Sequence, residues 1–145
     1  MVMKKNIAIV GGSSDIAIAT VNHISKEKYN FFALIREQDK SSELSDLGVD
    51  VTIGDATSED DIKNFISGVK ESGEIHAILH CVGSFAVRPP HAMNKEAFEA
   101  VISTNLTSAF LTLSIAGKAM LSQGHGRMVF MSSVAGSLAL KSSGK

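Results

Sequence analysis

Short apolar runs alternate along this chain with longer stretches in which apolar residues recur every three or four positions. Residues 6–10, 31–35, 49–53, 75–82 and 127–131 are apolar runs of strand length. The intervening segments carry helical periodicity. Residues 15–26 place Ile16, Ala19, Thr20, His23 and Ile24 down one side. Residues 41–47 form a weaker helix, and 58–70 a strong one, with Ile62, Phe65, Ile66 and Val69 at i, i+3, i+4 and i+7 spacing. Thr57-Ser58-Glu59-Asp60 offers this helix a capping hydroxyl and early acids, which suit its positive end. Residues 94–121 predict a long helix with an apolar stripe of Phe98, Val101, Ile102, Leu106, Ala109, Phe110 and Leu113.

Strands separated by helices pair in parallel through right-handed crossovers. The expected architecture is a three-layer α/β/α domain over residues 1–145, a doubly wound parallel sheet in strand order 3-2-1-4-5. The fifth strand would then be an apolar edge followed by a polar tail at 141–145. Such an edge calls for more protein beside it, covalent or as a partner.

Composition narrows the class. With 44% apolar and 20% charged residues among 145, and a formal net charge of -1, the chain reads as a globular domain without a basic face for nucleic acid or an anionic membrane. Cys81 is the only cysteine, which rules out an intrachain disulfide and points to a reducing compartment. The apolar run at 7–10 is too short for a signal peptide or a membrane span, so the expected location is the cytoplasm. His76 and His80 would lie roughly 13 Å apart on one strand at about 3.3 Å per residue. His23, His91 and His125 lack ligand spacing, and no metal site is expected.

The turn Gly11-Gly12-Ser13-Ser14 joins the first strand to the first helix. A glycine turn there is the phosphate site of a Rossmann domain: Gly11 permits a tight turn and close approach to a pyrophosphate, and the helix start supplies free N–H groups. Ser13 and Ser14 add hydroxyl donors. The plainer alternative is a strand-to-helix turn with a serine cap. Arg36, after the second strand, suits a phosphate with its forked guanidinium or is a solvated loop charge. Glu37 beside it could accept from ribose hydroxyls. Asp55, in Gly54-Asp55-Ala56-Thr57, either meets a ligand or caps the next helix. Cys81 reads as a small buried residue rather than a catalytic thiol. Asn105 interrupts the stripe of the long helix, where an amide needs partners or water.

Val10-Gly11-Gly12-Ser13-Ser14-Asp15-Ile16-Ala17 resembles the TGxxxGxG stretch of the short-chain dehydrogenase/reductase family, with Gly11 at the first glycine. Asp15 and Ala17 replace the other two; Asp15 either points away from the pyrophosphate or caps the helix. Gly126-Arg127-Met128-Val129-Phe130-Met131-Ser132-Ser133 is similar to the family's fifth strand and catalytic serine. His80-Cys81-Val82-Gly83 stands where the family carries Asn-Asn-Ala-Gly, so the central sheet must be braced differently. The resemblance implies cofactor contacts at Gly11, Ser13, Ser14, Ile16, Arg36, Asp55, Ala56, Cys81, Val82 and Gly83. In it, Asp55 would meet the adenine amino group. Ser133 would polarise the substrate oxygen, and Asn105 would hold a water in the proton relay.

Arg36 favours NADP(H) over NAD(H). The implied activity is hydride transfer between NADP(H) and a small-molecule carbonyl or alcohol, in a homo-oligomer. The family's Tyr-xxx-Lys pair follows the serine, but the only tyrosine here is Tyr29. The expectation is a domain truncated before the sixth and seventh strands and inactive in this form. A non-catalytic nucleotide-binding module or a vestigial reductase is the alternative.

Overall fold

The computed structural model describes residues 4–86 and 88–134. Five parallel strands, β1 (Lys5–Val10), β2 (Tyr29–Ile35), β3 (Val49–Ile53), β4 (Ile75–His80) and β5 (Arg127–Phe130), form one sheet in the order β3-β2-β1-β4-β5. The helices are α1 (Asp15–His23), α2 (Ser41–Asp46), α3 (Glu59–Glu71), α4 (Lys95–Ile102) and α5 (Ser108–Gln123). This is the expected Rossmann-like α/β arrangement.

Alternation along the strands builds two cores. Ala8, Val10, Phe32, Leu34 and Ile78 face α3 and α5, where Ile62, Phe65, Ile66, Val69, Ala116 and Met120 meet them. Ile7, Ile9, Phe31, Ala33 and Ile35 face the opposite way, against Ala17 and Val21 of α1 and Leu44 of α2. Both faces of the inner strands are thereby covered, as parallel sheets require. Ser58 caps α3 by accepting from the Asp61 N–H at 3.3 Å.

Two helical faces differ from the periodicity reading. In α1 the buried residues are Ala17 and Val21, while Ile16 is 54% exposed. Along α5 the sheet side consists of Ser108, Thr112, Ala116, Ala119 and Met120, whereas Phe98, Leu106, Phe110 and Leu113 point outward. The reason is distance: small side chains let a helix lie close on a sheet, and the bulky stripe is left outside.

The predicted single helix is also interrupted. A π turn over Ser103–Thr107 joins α4 to α5 and carries Asn105. The combined run Lys95–Gln123, 29 residues, is by length and composition apolar enough to cross a bilayer, a length the N-terminal run lacks. Here it lies along the sheet, with α5 against α3 and β4.

Candidate functional site

A cleft of about 470 Å³ opens at the carboxyl ends of β1, β2, β3 and β4. Open α/β sheets bind ligands at this edge, where the strand order reverses. Gly11, Ser13, Ser14, Arg36, Asp55, Ala56, Cys81, Val82 and Gly83 all line it. Residues spread over more than seventy sequence positions thus meet in one concavity.

Gly11 has φ +84°, and a Cβ there would stand 2.8 Å from Val82 Cγ2 and 2.9 Å from the Val82 nitrogen. It is glycine because the first turn folds back onto the chain leaving β4. The N–H groups of Gly11 and Gly12 donate to the Leu34 carbonyl at 3.0 and 3.1 Å, which fixes the turn. Ser14 is the N-cap of α1 and accepts from the Ala17 N–H at 3.1 Å. Asp15 therefore does not cap the helix; it is exposed in the first turn. Among the described residues the N–H groups of Ser13, Asp15 and Ile16 have no internal partner. Free donors at a helix start are groups suited to an anion. Ile16 offers only its backbone there, since its side chain lies outside the cleft.

Asp55 accepts from the Thr57 N–H and hydroxyl, both at 2.8 Å. Those bonds, the backbone one foremost, hold its carboxyl below the ordinary value against the opposing effect of burial, and Arg36 adds a smaller pull. Asp55 thus remains a carboxylate. It caps no helix, because Ser58 does. Its own N–H donates to Asp61 Oδ2 at 2.7 Å.

The Arg36 guanidinium lies 3.5 Å from the Glu37 carboxylate, with side chains 73% and 57% exposed. Such a pair is worth about 0.2–1 kcal/mol, so either partner is readily released to a ligand. Lys40, which the sequence reading did not single out, adds a second cation to the cleft wall. Its signal was the spacing from Arg36: the 3₁₀ turn Gln38–Lys40 brings it back to the cleft.

Cys81 is half-buried, and burial pushes its thiol up, partly offset by a bond with Ser14. A thiol held in that state is a poor nucleophile.

His80 is buried, and its Nε2 lies 3.0 Å from Ser108 Oγ. The Ser108 hydroxyl donates to the Thr104 carbonyl at 2.5 Å, so its oxygen must accept from the imidazole. Burial pushes the His80 pKa down, which keeps the ring neutral with Nε2 protonated. The ring also packs on Phe130, with centroids 5.4 Å apart. This chain of contacts joins β4 and β5 to the start of α5 and the π turn.

Asn105 bonds the main chain after β4 in both directions. Its Oδ1 accepts from the Ser84 N–H at 3.1 Å, and its Nδ2 donates to the Ser84 and Val101 carbonyls, both at 2.8 Å. It lies outside the cleft and is exposed. The amide is therefore satisfied by backbone rather than buried among apolar groups. Ser133, just after β5, is exposed and also outside the cleft wall. Tyr29 pairs with Lys5 at the opposite end of the sheet. His76 and His80 stay apart as the strand geometry requires, but His76 and His125 do meet. Their ring centroids are 5.3 Å apart, with Glu74 beside them. The expectation of no ligand grouping is corrected to that extent: residues distant in sequence are joined by the β4–β5 pairing.

The short chain dehydrogenase family model matches residues 5–144. The chain is 27% identical over 135 residues to 3-oxoacyl-[acyl-carrier-protein] reductase MabA of Mycobacterium tuberculosis, covering 93% of this chain and 53% of that one. It is 28% identical over 146 residues to a tropinone reductase homolog of Arabidopsis thaliana, covering 95% and 55%. It spans about half the length of these relatives. Its fold is shared with ElxO, solved with NADP bound, at TM-score 0.86 and 22% identity over 95% of this chain and 59% of that one. A family match over residues 5–144, nearly the whole chain, makes this chain a member of the short chain dehydrogenase family.

Proposed function

We propose that residues 1–145 are the NADP(H)-binding Rossmann domain of an oxidoreductase that moves hydride between NADP(H) and a small-molecule carbonyl or alcohol. The observation that carries this reading is the convergence of an anion-ready helix start, the carboxylate of Asp55 and two cations in one cleft. Open N–H groups at Ser13, Asp15 and Ile16 would hold the pyrophosphate. The free oxygen of Asp55 would accept from the adenine amino group. Arg36 and Lys40 would flank the 2′-phosphate of NADP. ElxO, with NADP bound, is a precedent for this ligand on the same fold.

Gly83 would lie under the nicotinamide. Cys81 and Val82 would border it, and Ser133 would hydrogen-bond the substrate oxygen. Asn105 would act as a positioning residue that holds the Gly83–Ser84 segment. The proton donor implied by the family resemblance is not among these residues, since Tyr29 lies at the wrong end of the sheet. A non-catalytic nucleotide-binding module is the second reading. It is favoured by the exposed carboxylate of Asp15 beside the phosphate donors, which weakens anion binding.

Fluorescence titration with NADPH and NADH tests the cofactor assignment. NADPH should bind more tightly, and Arg36→Ala should raise its Kd about tenfold, or about 1.4 kcal/mol, while leaving NADH nearly unchanged. Equal weakening of both cofactors, or tighter NADH binding, would overturn it. Turnover of a carbonyl substrate with NADPH separates the reductase from the binding module.

A further inference from the structure

We propose that Glu74, His76 and His125 form a binding site for one divalent transition cation of the zinc type. It lies at the amino ends of the strands, away from the nucleotide cleft. Each residue offers one ligand atom, and these atoms all lie within 4.8 Å of one another. Two imidazoles and one carboxylate are a donor set that zinc uses when it keeps a further position for water. Ligand atoms around a tetrahedral zinc stand roughly 3.4 Å apart at bond lengths of 2.0–2.1 Å. The side chains of His125 and Glu74, 46% and 60% exposed, have room to turn toward that distance.

The surrounding backbone prepares the site. His76 Nδ1 lies 3.2 Å from the Glu74 carbonyl, which can only accept, so Nδ1 carries the proton and Nε2 is left with its lone pair. Glu74 and His76 flank the start of β4, while His125 sits in the turn between α5 and β5. Gln123 locks these two segments together. Its Oε1 accepts from the Ile75 N–H at 3.2 Å, and its Nε2 donates to the Ile75 carbonyl and, at 2.8 Å, to the His125 carbonyl.

Without the cation, His125 Nε2 and Glu74 Oε2 face each other at 3.0 Å. Metal binding would replace that contact: with the imidazole proton on Nδ1, the Nε2 lone pair of His125 and a carboxylate oxygen of Glu74 both turn to the ion. His76 and Cys81 are five residues apart on an extended strand, or roughly 16 Å at about 3.3 Å per residue. The ion would thus staple the edge strand β5 to β4 and take no part in hydride transfer.

The test is calorimetric titration of Zn²⁺ into untagged protein stripped with EDTA, with Co²⁺ absorption as a second readout. One Zn²⁺ per chain is expected, with a tetrahedral or five-coordinate Co²⁺ spectrum and a thermal midpoint that rises with Zn²⁺. His76→Ala, His125→Ala and Glu74→Gln should each weaken binding at least about tenfold. His23→Ala, on the surface of α1, should leave it unchanged. Circular dichroism and NADPH affinity of the variants report whether they fold. Absence of stoichiometric binding by the parent protein, or binding that survives in Glu74→Gln and both alanine variants, would overturn the site.

Discussion

At Gly11 a single missing side chain sets the geometry of the cleft. Its φ of +84° is open to glycine, and its approach to Val82 leaves no room for a methyl group. Gly11→Ala should destabilise the domain by at least about 2 kcal/mol, combining overpacking with left-handed strain. Urea denaturation would measure the loss, and NADPH affinity should fall with it. His80 gives a second prediction at this scale. Burial lowers its folded-state pKa below the ordinary 6.5, so as pH falls the unfolded chain takes up the proton first. The contribution of His80 to stability is therefore full above pH 6.5 and is lost as pH falls through the lower folded-state value. In thermal melts from pH 7.5 to pH 5.5, His80→Asn should lose less stability on acidification than the parent. A parallel decline would mean that His80 does not carry the effect.

Among the elements, the strands were legible to within two residues at each end, because buried parallel strands read as unbroken apolar runs. β3 matches its expected bounds at both ends. Helix α3 was equally legible, because its four periodic residues, Ile62, Phe65, Ile66 and Val69, are the ones it buries. Helices α1 and α5 were not, since the face a helix presents to a sheet depends on how closely the two must approach. Ala17 on α1 and Ala116 on α5 are fully buried, whereas the bulkier Ile16 and Phe110 are exposed. The π turn that redirects Asn105 toward Ser84 has no local sequence signature, because its hydrogen-bond shift is rewarded by a partner on another element.

On the scale of the whole molecule, two apolar surfaces face outward among the described residues. One is the stripe of Phe98, Leu106, Phe110 and Leu113 on α4, the π turn and α5; the other is edge strand β5, with Val129 48% exposed. Apolar surface of this extent fits the homo-oligomer that the family resemblance implies. Phe110→Glu together with Leu113→Glu should shift the protein toward monomer in sedimentation velocity, with little change in NADPH affinity. An unchanged mass distribution would remove the stripe from the assembly.

The sequence by itself determined the order of strands and helices, the glycine turn and most of the nucleotide cleft. These depend on local period, on the handedness of crossovers, and on residues that follow strand ends. Asp55 and Arg36 reach the cleft for that reason: each follows directly from a strand whose place in the sheet was already implied. Tertiary structure alone decided which faces of α1 and α5 are buried. It also decided how His80 and Ser108 brace the sheet, and that His125 stands beside Glu74 and His76. Each of those outcomes depends on contacts between elements far apart in the chain, and such contacts leave no period in the sequence to read.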